Sequence, residues 1–241
     1  MTRKILLGLL MLNASFCFSQ KKFPDKIVVL TFDDASQSHY SYVAPLLKKY
    51  GFGATFYICE YPPDFSDTTT YMSWYDIKQL SDMGFEIGNH TWHHSRVDRL
   101  SNDSLKSEIL FIERKCDTLK IPKPTSMAYP GFVTDATKNP VLSLLGYNTA
   151  RMGSNRAYHP VNDNSFYIPS FTLDTHNEQE IIDAFAFAKN GYVVILTVHG
   201  VPDLAHDALS TTPAVFESCM KYLYDNHYIV LSMRALTGYI K

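Results

Sequence analysis

The chain has 241 residues, 46% of them hydrophobic and 19% charged, with a formal net charge of -2. That is the composition of a globular protein, with length for one large domain or two small ones. A balance this close to neutral gives no electrostatic case for nucleic acid or an anionic membrane as the main partner.

Residues 1–19 read as a secretory signal peptide. Arg3 and Lys4 form a basic start, residues 5–12 an apolar run, and Ser19 ends a stretch with small residues. The run is too short to span a bilayer, and no other stretch is long enough. A lipoprotein anchor at Cys17 is the alternative, and Phe16 argues against it, because a small residue is expected there. Either way the expected location is secreted, periplasmic or at the cell envelope. Once the signal is removed, Cys59, Cys116 and Cys219 remain. Their odd number and wide spacing imply no disulfide framework.

From residue 21 strands and helices alternate. The apolar run 26–34 reads as a buried strand ending in Thr31-Phe32-Asp33-Asp34. A helix over 38–50 stops at Gly51, and a strand follows over 54–59. A helix over 73–83 stops at Gly84, and strand 85–88 runs into Asn89-His90-Thr91-Trp92-His93-His94. Ser101 caps a long helix over 102–119, whose apolar residues Leu105, Ile109, Ile112, Cys116 and Leu119 recur at helical spacing. Strand 125–129 ends at Pro130-Gly131. Then come helix 136–145, strand 147–152, strand 166–173, helix 178–189, strand 192–198 ending at His199, helix 213–226 and strand 228–233.

Seven or eight strand–helix units with short links predict parallel strands. The number of units favours an α/β fold of the distorted (β/α)7-8 barrel type over an open sheet. No composition shift divides residues 21–241, so a single domain is expected. In such barrels the chemistry sits at the C-terminal strand ends. Asp33, Asp34, His90, His94, Gly131 and His199 all fall there.

Two adjacent carboxylates closing a buried strand are costly unless paired, protonated or bound to metal. An acidic turn or helix cap is the ordinary alternative. His90 and His94 are four apart and would share one face of a helical turn. Two His and one Asp make a three-ligand site with open positions, and a polar His-rich loop is the competing reading. His199 is a candidate general acid, and the Gly131 N–H a candidate oxyanion donor. Asp174 could orient His199, and Arg151 could pair with the catalytic carboxylate. Each of these two could equally form a surface ion pair.

In this order the motifs resemble the polysaccharide deacetylase family, carbohydrate esterase family 4, with its NodB-like domain. Thr31-Phe32-Asp33-Asp34 matches its first motif and His90-Thr91-Trp92-His93-His94 its second. Leu196-Thr197-Val198-His199 matches its last. The resemblance implies a distorted barrel that removes N-acetyl, or sometimes O-acetyl, groups from glycans. It implies Asp33 as general base, Asp34, His90 and His94 as metal ligands, His199 as general acid, and Gly131 as an oxyanion donor. The implied cofactor is a divalent ion, zinc foremost (Zn2+), with cobalt, nickel or iron compatible. The implied partner is an acetylated glycan. Two positions depart from the pattern. Ala128 stands where the third motif usually opens with Arg, and the Asp-Trp pair of the fourth motif is missing. Arg151 is the expected substitute for the Arg. An O-acetyl esterase, a non-sugar amide hydrolase and a weakly catalytic glycan binder remain as alternatives.

Overall fold

The computed structural model describes residues 23–61 and 64–240. The stretch read as a signal peptide, Cys17 included, lies outside the described residues.

Eight strands form one sheet: β1 (Ile27–Phe32), β2 (Thr55–Ile58), β3 (Glu86–Asn89), β4 (Ser126–Ala128), β5 (Thr149–Arg151), β6 (Phe171–Leu173), β7 (Val194–Val198) and β8 (Ile229–Leu231). The order is β5-β4-β3-β2-β1-β7-β6, and the pairings are parallel. One edge of β1 pairs with β7. The other edge is shared, with β8 against Ile27–Val29 and β2 against Thr31 and Phe32. β8 is therefore wedged in at the N-terminal end only.

The sheet curls into a distorted barrel of a single domain, as the alternation predicts. β5 and β6 meet through the irregular segment 165–170 rather than as paired strands. Ala150 N–H donates to Ser165 O at 2.8 Å, Ile168 N–H to Ala150 O at 2.9 Å, and Met152 N–H to Ile168 O at 2.8 Å. The strand expected over 166–173 is thus only its last three residues, because the first part serves as this bridge.

Alternation along β1 explains the layers. Val28, Leu30 and Phe32 face the helices and join one large core with Leu47 of α1 (Ala44–Tyr50), Leu80 of α2 (Trp74–Asp82) and Phe216 and Cys219 farther along the chain. Ile27 and Val29 face the barrel interior. The long helix α3 (Asn102–Thr118) is capped by Ser101 as expected. It packs with α4 (Asn139–Leu144) over the outer side of β4 and β5. α5 (Glu178–Phe185) stops four residues before the expected end. α6 (Pro213–Asp225) starts at the predicted residue.

A last helix, α7 (Met233–Ile240), was not expected. Its Met233 and Leu236 fill the N-terminal end of the barrel against Ile27, Val29 and Ile195. Its first N–H groups are satisfied from inside the barrel. Met233 N–H donates to Thr55 Oγ1 at 2.8 Å and Arg234 N–H to the buried Glu86 carboxylate at 2.6 Å. A carboxylate at a helix N-terminus is stabilising in itself. Thr55 and Ser126 hydroxyls complete the shell of Glu86. One end of the barrel is closed in this way, and the other is left for chemistry.

Candidate active site

The two aspartates converge because the strand ends between them and the turn. Asp33 extends the β1 ladder through its N–H to Val198 O at 3.0 Å. Asp34 and Ala35 then take left-handed backbone, with φ of 71° and 54°. Asp visits that region more readily than most residues, and Ala does so at a cost. On a straight strand the two carboxylates would diverge; here both reach the same centre.

His90 and His94 also meet, but not on a helical turn. The segment after β3 is irregular, with Thr91 at φ 61° and His94 at φ 53°. Their rings lie 4.8 Å apart. Several bonds hold this strained loop. The Asn89 side chain accepts from Thr91 N–H and donates to Ile109 O and to the Tyr147 hydroxyl. Thr91 Oγ1 accepts from Ser95 N–H. Glu108 accepts from the His93 N–H at 2.8 Å and pairs with its Nδ1 at 2.7 Å, which turns His93 away from the site. Glu60 accepts from both indoles, Trp74 Nε1 at 2.6 Å and Trp92 Nε1 at 2.8 Å.

Asp34, His90 and His94 present ligand atoms that all lie within 4.8 Å of one another. His90 Nε2 is 3.4 Å and His94 Nε2 3.5 Å from Asp34 Oδ1. His90 Nδ1 lies 2.8 Å from Ala128 O. That bond puts a proton on Nδ1 and turns Nε2 toward Asp34, which it faces as a proton donor or, once deprotonated, as a candidate ligand. Burial, followed by repulsion from His90, pushes His94 down to about 4, so it is neutral at pH 7. Burial opposes ionisation of Asp34, yet the hydrogen bond and charge of His90, with His199 behind them, hold its carboxyl well below the usual range. An anionic carboxylate and lone-pair imidazole nitrogens on one point are a donor set that fits a divalent ion.

Asp33 stands beside this trio, with Oδ2 4.0 Å from His90 Nε2. Arg151 Nη2 lies 2.6 Å from Oδ1 and 2.5 Å from Oδ2 of Asp33. Both side chains are buried. Ala128 pairs with Arg151 in the β4–β5 register, so the guanidinium enters from the neighbouring strand at the same level.

His199 follows β7 with Nε2 3.8 Å from Asp34 Oδ2. Its carbonyl is 2.8 Å from His39 Nε2. Burial pushes His39 down to about 4, which leaves that ring neutral and its Nε2–H the donor. The expectation that Asp174 orients His199 is corrected. Asp174 folds into its own turn, accepting from His176 N–H at 2.7 Å and from the Asn177 side chain. His199 Nδ1 is buried without a hydrogen-bond partner among the described residues. Gly131 sits just past β4 with φ 61°, and its N–H donates to no backbone acceptor among the described residues.

Several further side chains surround this centre that the sequence motifs do not include. Tyr61 lies with its ring 5.2 Å from His94 and 5.6 Å from His206. His206 Nδ1 is 3.5 Å from the buried Asp203 carboxylate. Cys59 is buried, with its thiol 3.8 Å from Asp34 Oδ1. Tyr57 and Phe132 lie against Arg151. Only Asp203 and His206 had a legible cue, their spacing behind a strand that ends in His.

Comparison with known proteins gives the lineage. The family model described as "Polysaccharide deacetylase" matches residues 20–150. The chain belongs to the polysaccharide deacetylase family. A chitin deacetylase from Pestalotiopsis sp is 29% identical over 188 residues, covering 76% of this chain and 54% of its own. A peptidoglycan-N-acetylmuramic acid deacetylase from Bacillus subtilis is 30% identical over 133 residues, covering 52% and 46%. The matches thus span about half the length of these curated relatives. The solved structure of Bacillus subtilis PdaA, a family 4 carbohydrate esterase, aligns with a TM-score of 0.62 at 18% identity over 90% of this chain and 82% of that one. At that identity the likeness speaks for the fold. Ala128, where the resemblance leads one to expect Arg, is the register partner of Arg151.

Proposed function

We propose that this protein is a metal-dependent hydrolase that removes N-acetyl groups from a polysaccharide or peptidoglycan-type glycan. The observation that carries the reading is the convergence of Asp34, His90 and His94 on one point, with the Arg151-held Asp33 beside them. Asp34, His90 and His94 would hold the ion, zinc foremost. Bound there, a divalent ion supplies polarisation of the acetyl carbonyl and a water acidic enough to ionise near neutral pH.

The chain's own residues supply the rest. Asp33 is free of the ligand trio and takes the proton of the attacking water. The buried Arg151 guanidinium fixes the carboxylate that does so. The Gly131 N–H donates to the oxyanion that develops at the acetyl carbonyl oxygen. His199 hands a proton to the departing amine from Nε2. The signal-like stretch over residues 1–19 sends the enzyme to the envelope or beyond, where such glycans are found.

One observation favours a second reading. His199 Nδ1 has no partner to support it as an acid, and an alkoxide leaving group from an O-acetyl ester needs less protonation than an amine. The deciding experiment is acetate release from paired N-acetylated and O-acetylated glycans, with and without chelator, using wild type and Asp33→Asn. Chelator-sensitive release from N-acetyl substrates that Asp33→Asn abolishes is expected. Release that survives both chelator and the substitution overturns the mechanism. Preference for O-acetyl substrates selects the second reading.

A further inference from the structure

Arg151 is fully buried, yet its Nε and Nη1 have no hydrogen-bond partner among the described residues. A buried guanidinium ordinarily fills its donor positions. This one is instead surrounded by aromatic faces. Its Cζ lies 5.5 Å from the Tyr57 ring centre and 5.3 Å from that of Phe132. Both distances fall within the range in which a ring quadrupole attracts a cation, and desolvation strengthens the attraction.

The backbone around both rings is built to admit them. Phe132 takes φ 59°, and Gly131 before it φ 61°. Consecutive left-handed residues are rare, and a bulky side chain there is an outlier. A Cβ on Gly153 would come within 2.9 Å of the Phe132 ring. A Cβ on Gly88 would come within 2.4 Å of Tyr57 Cδ1. Gly88 on β3 and Gly153, two residues past β5, thus clear space for the two rings that face one cation. A strained Phe in the turn beyond β4 is unexplained by packing alone, since Phe132 remains partly exposed.

We infer that Phe132, with Tyr57, is a positioning residue: the two rings hold the Arg151 guanidinium so that Nη2 alone meets Asp33. In this chain the Arg comes from β5 rather than from the third motif, and the aromatic faces replace the hydrogen bonds that would otherwise fix it. The inference rests on the reading of Asp33 as the base.

The test is a mutant cycle on the metal-loaded enzyme. Phe132→Leu keeps an apolar side chain and loses the π face, whereas Phe132→Tyr keeps it. Phe132→Leu is expected to lower kcat about tenfold with KM and bound metal unchanged, and Phe132→Tyr to restore most of the rate. Combined with Arg151→Met, Phe132→Leu is expected to cause no further loss. Wild type, Phe132→Leu, Arg151→Met and the double variant are also compared by urea unfolding, where the two substitutions should again be non-additive. Additive losses in both measurements, or an undiminished kcat in Phe132→Leu, overturn the inference. If the wild type releases no acetate from any glycan, the functional reading has failed, and the urea cycle still decides whether Phe132 holds Arg151.

Discussion

Arg151 reaches Asp33 from β5, one strand away from the place where the family's third motif carries its Arg, and Ala128 is its register partner across the β4–β5 pair. The two positions are neighbours at one level of the barrel, so a cation moved from one to the other keeps its target. Removing one partner of a buried pair leaves the other charge uncompensated, at about 3–5 kcal/mol. Arg151→Ala should therefore lower stability in urea by that order and reduce kcat/KM by about 100-fold. Adding Ala128→Arg to Arg151→Ala should recover part of both. An unchanged rate in Arg151→Ala would remove this residue from the reaction.

The two aspartates should separate cleanly by experiment. Asp34→Ala, His90→Ala or His94→Ala should each weaken zinc binding at least tenfold, measured by calorimetry on chelator-stripped protein. Asp33→Asn should keep the ion and lose about 10²–10⁴ in kcat, the range of general acid–base catalysis. Loss of the ion in Asp33→Asn would make it a ligand instead.

Asp203 predicts an acid-sensitive contribution to stability. Burial would raise its carboxyl, but the His206 ring and the N–H groups of His206, Ala205 and Gly200 bring it down to about 2, from an ordinary 3.8. A carboxyl whose folded-state value is depressed stabilises the fold above its unfolded value and loses that contribution as pH falls through the folded value. Asp203→Asn should thus cost up to about 2 kcal/mol at pH 7. The gap to wild type should begin to narrow near pH 4 and close near pH 2, as read from urea midpoints across pH. A gap that does not vary with pH would show that the carboxylate's charge is not what matters.

Gly88 offers a steric test inside the barrel. An added methyl would collide with the Tyr57 ring at 2.4 Å. Gly88→Ala should lose about 1–3 kcal/mol, the usual cost of overpacking. Gly51→Ala, which meets no atom within 4 Å but has φ 71°, tests backbone strain without a clash. A harmless Gly88→Ala would mean that the Tyr57 ring is free to move.

Much of this fold was legible because it is written locally. Apolar runs mark β1 and β7, Gly51 and Gly84 stop their helices, and Ser101 caps α3. The carboxylate pair, the His pair and Arg151 were legible as chemistry at strand ends. What was missed depends on distant partners. α7 is capped by Thr55 and Glu86 from two other strands, and no local signal announces that. The helix expected over 38–50 opens instead as a wider turn over His39–Val43 before α1; Pro45 has no N–H to carry the regular ladder through that point. Asp174 looked available to His199 because both end strands, but its own turn offered nearer donors. The His90–His94 geometry was right in outcome and wrong in cause, since a strained loop rather than a helical turn unites them.

The shared carboxylate of Glu60 has an optical consequence. The sequence contains two tryptophans, and both donate to that one side chain. Trp92 also lies in sequence between two proposed ligands and stacks on Phe111 at 3.8 Å. The entire indole emission of the protein therefore arises from a single spot, wired by one acid to the loop that carries His90 and His94. Ultraviolet fluorescence during a zinc titration should follow that loop without any label, and Glu60→Gln should alter the signal by changing what both indoles report.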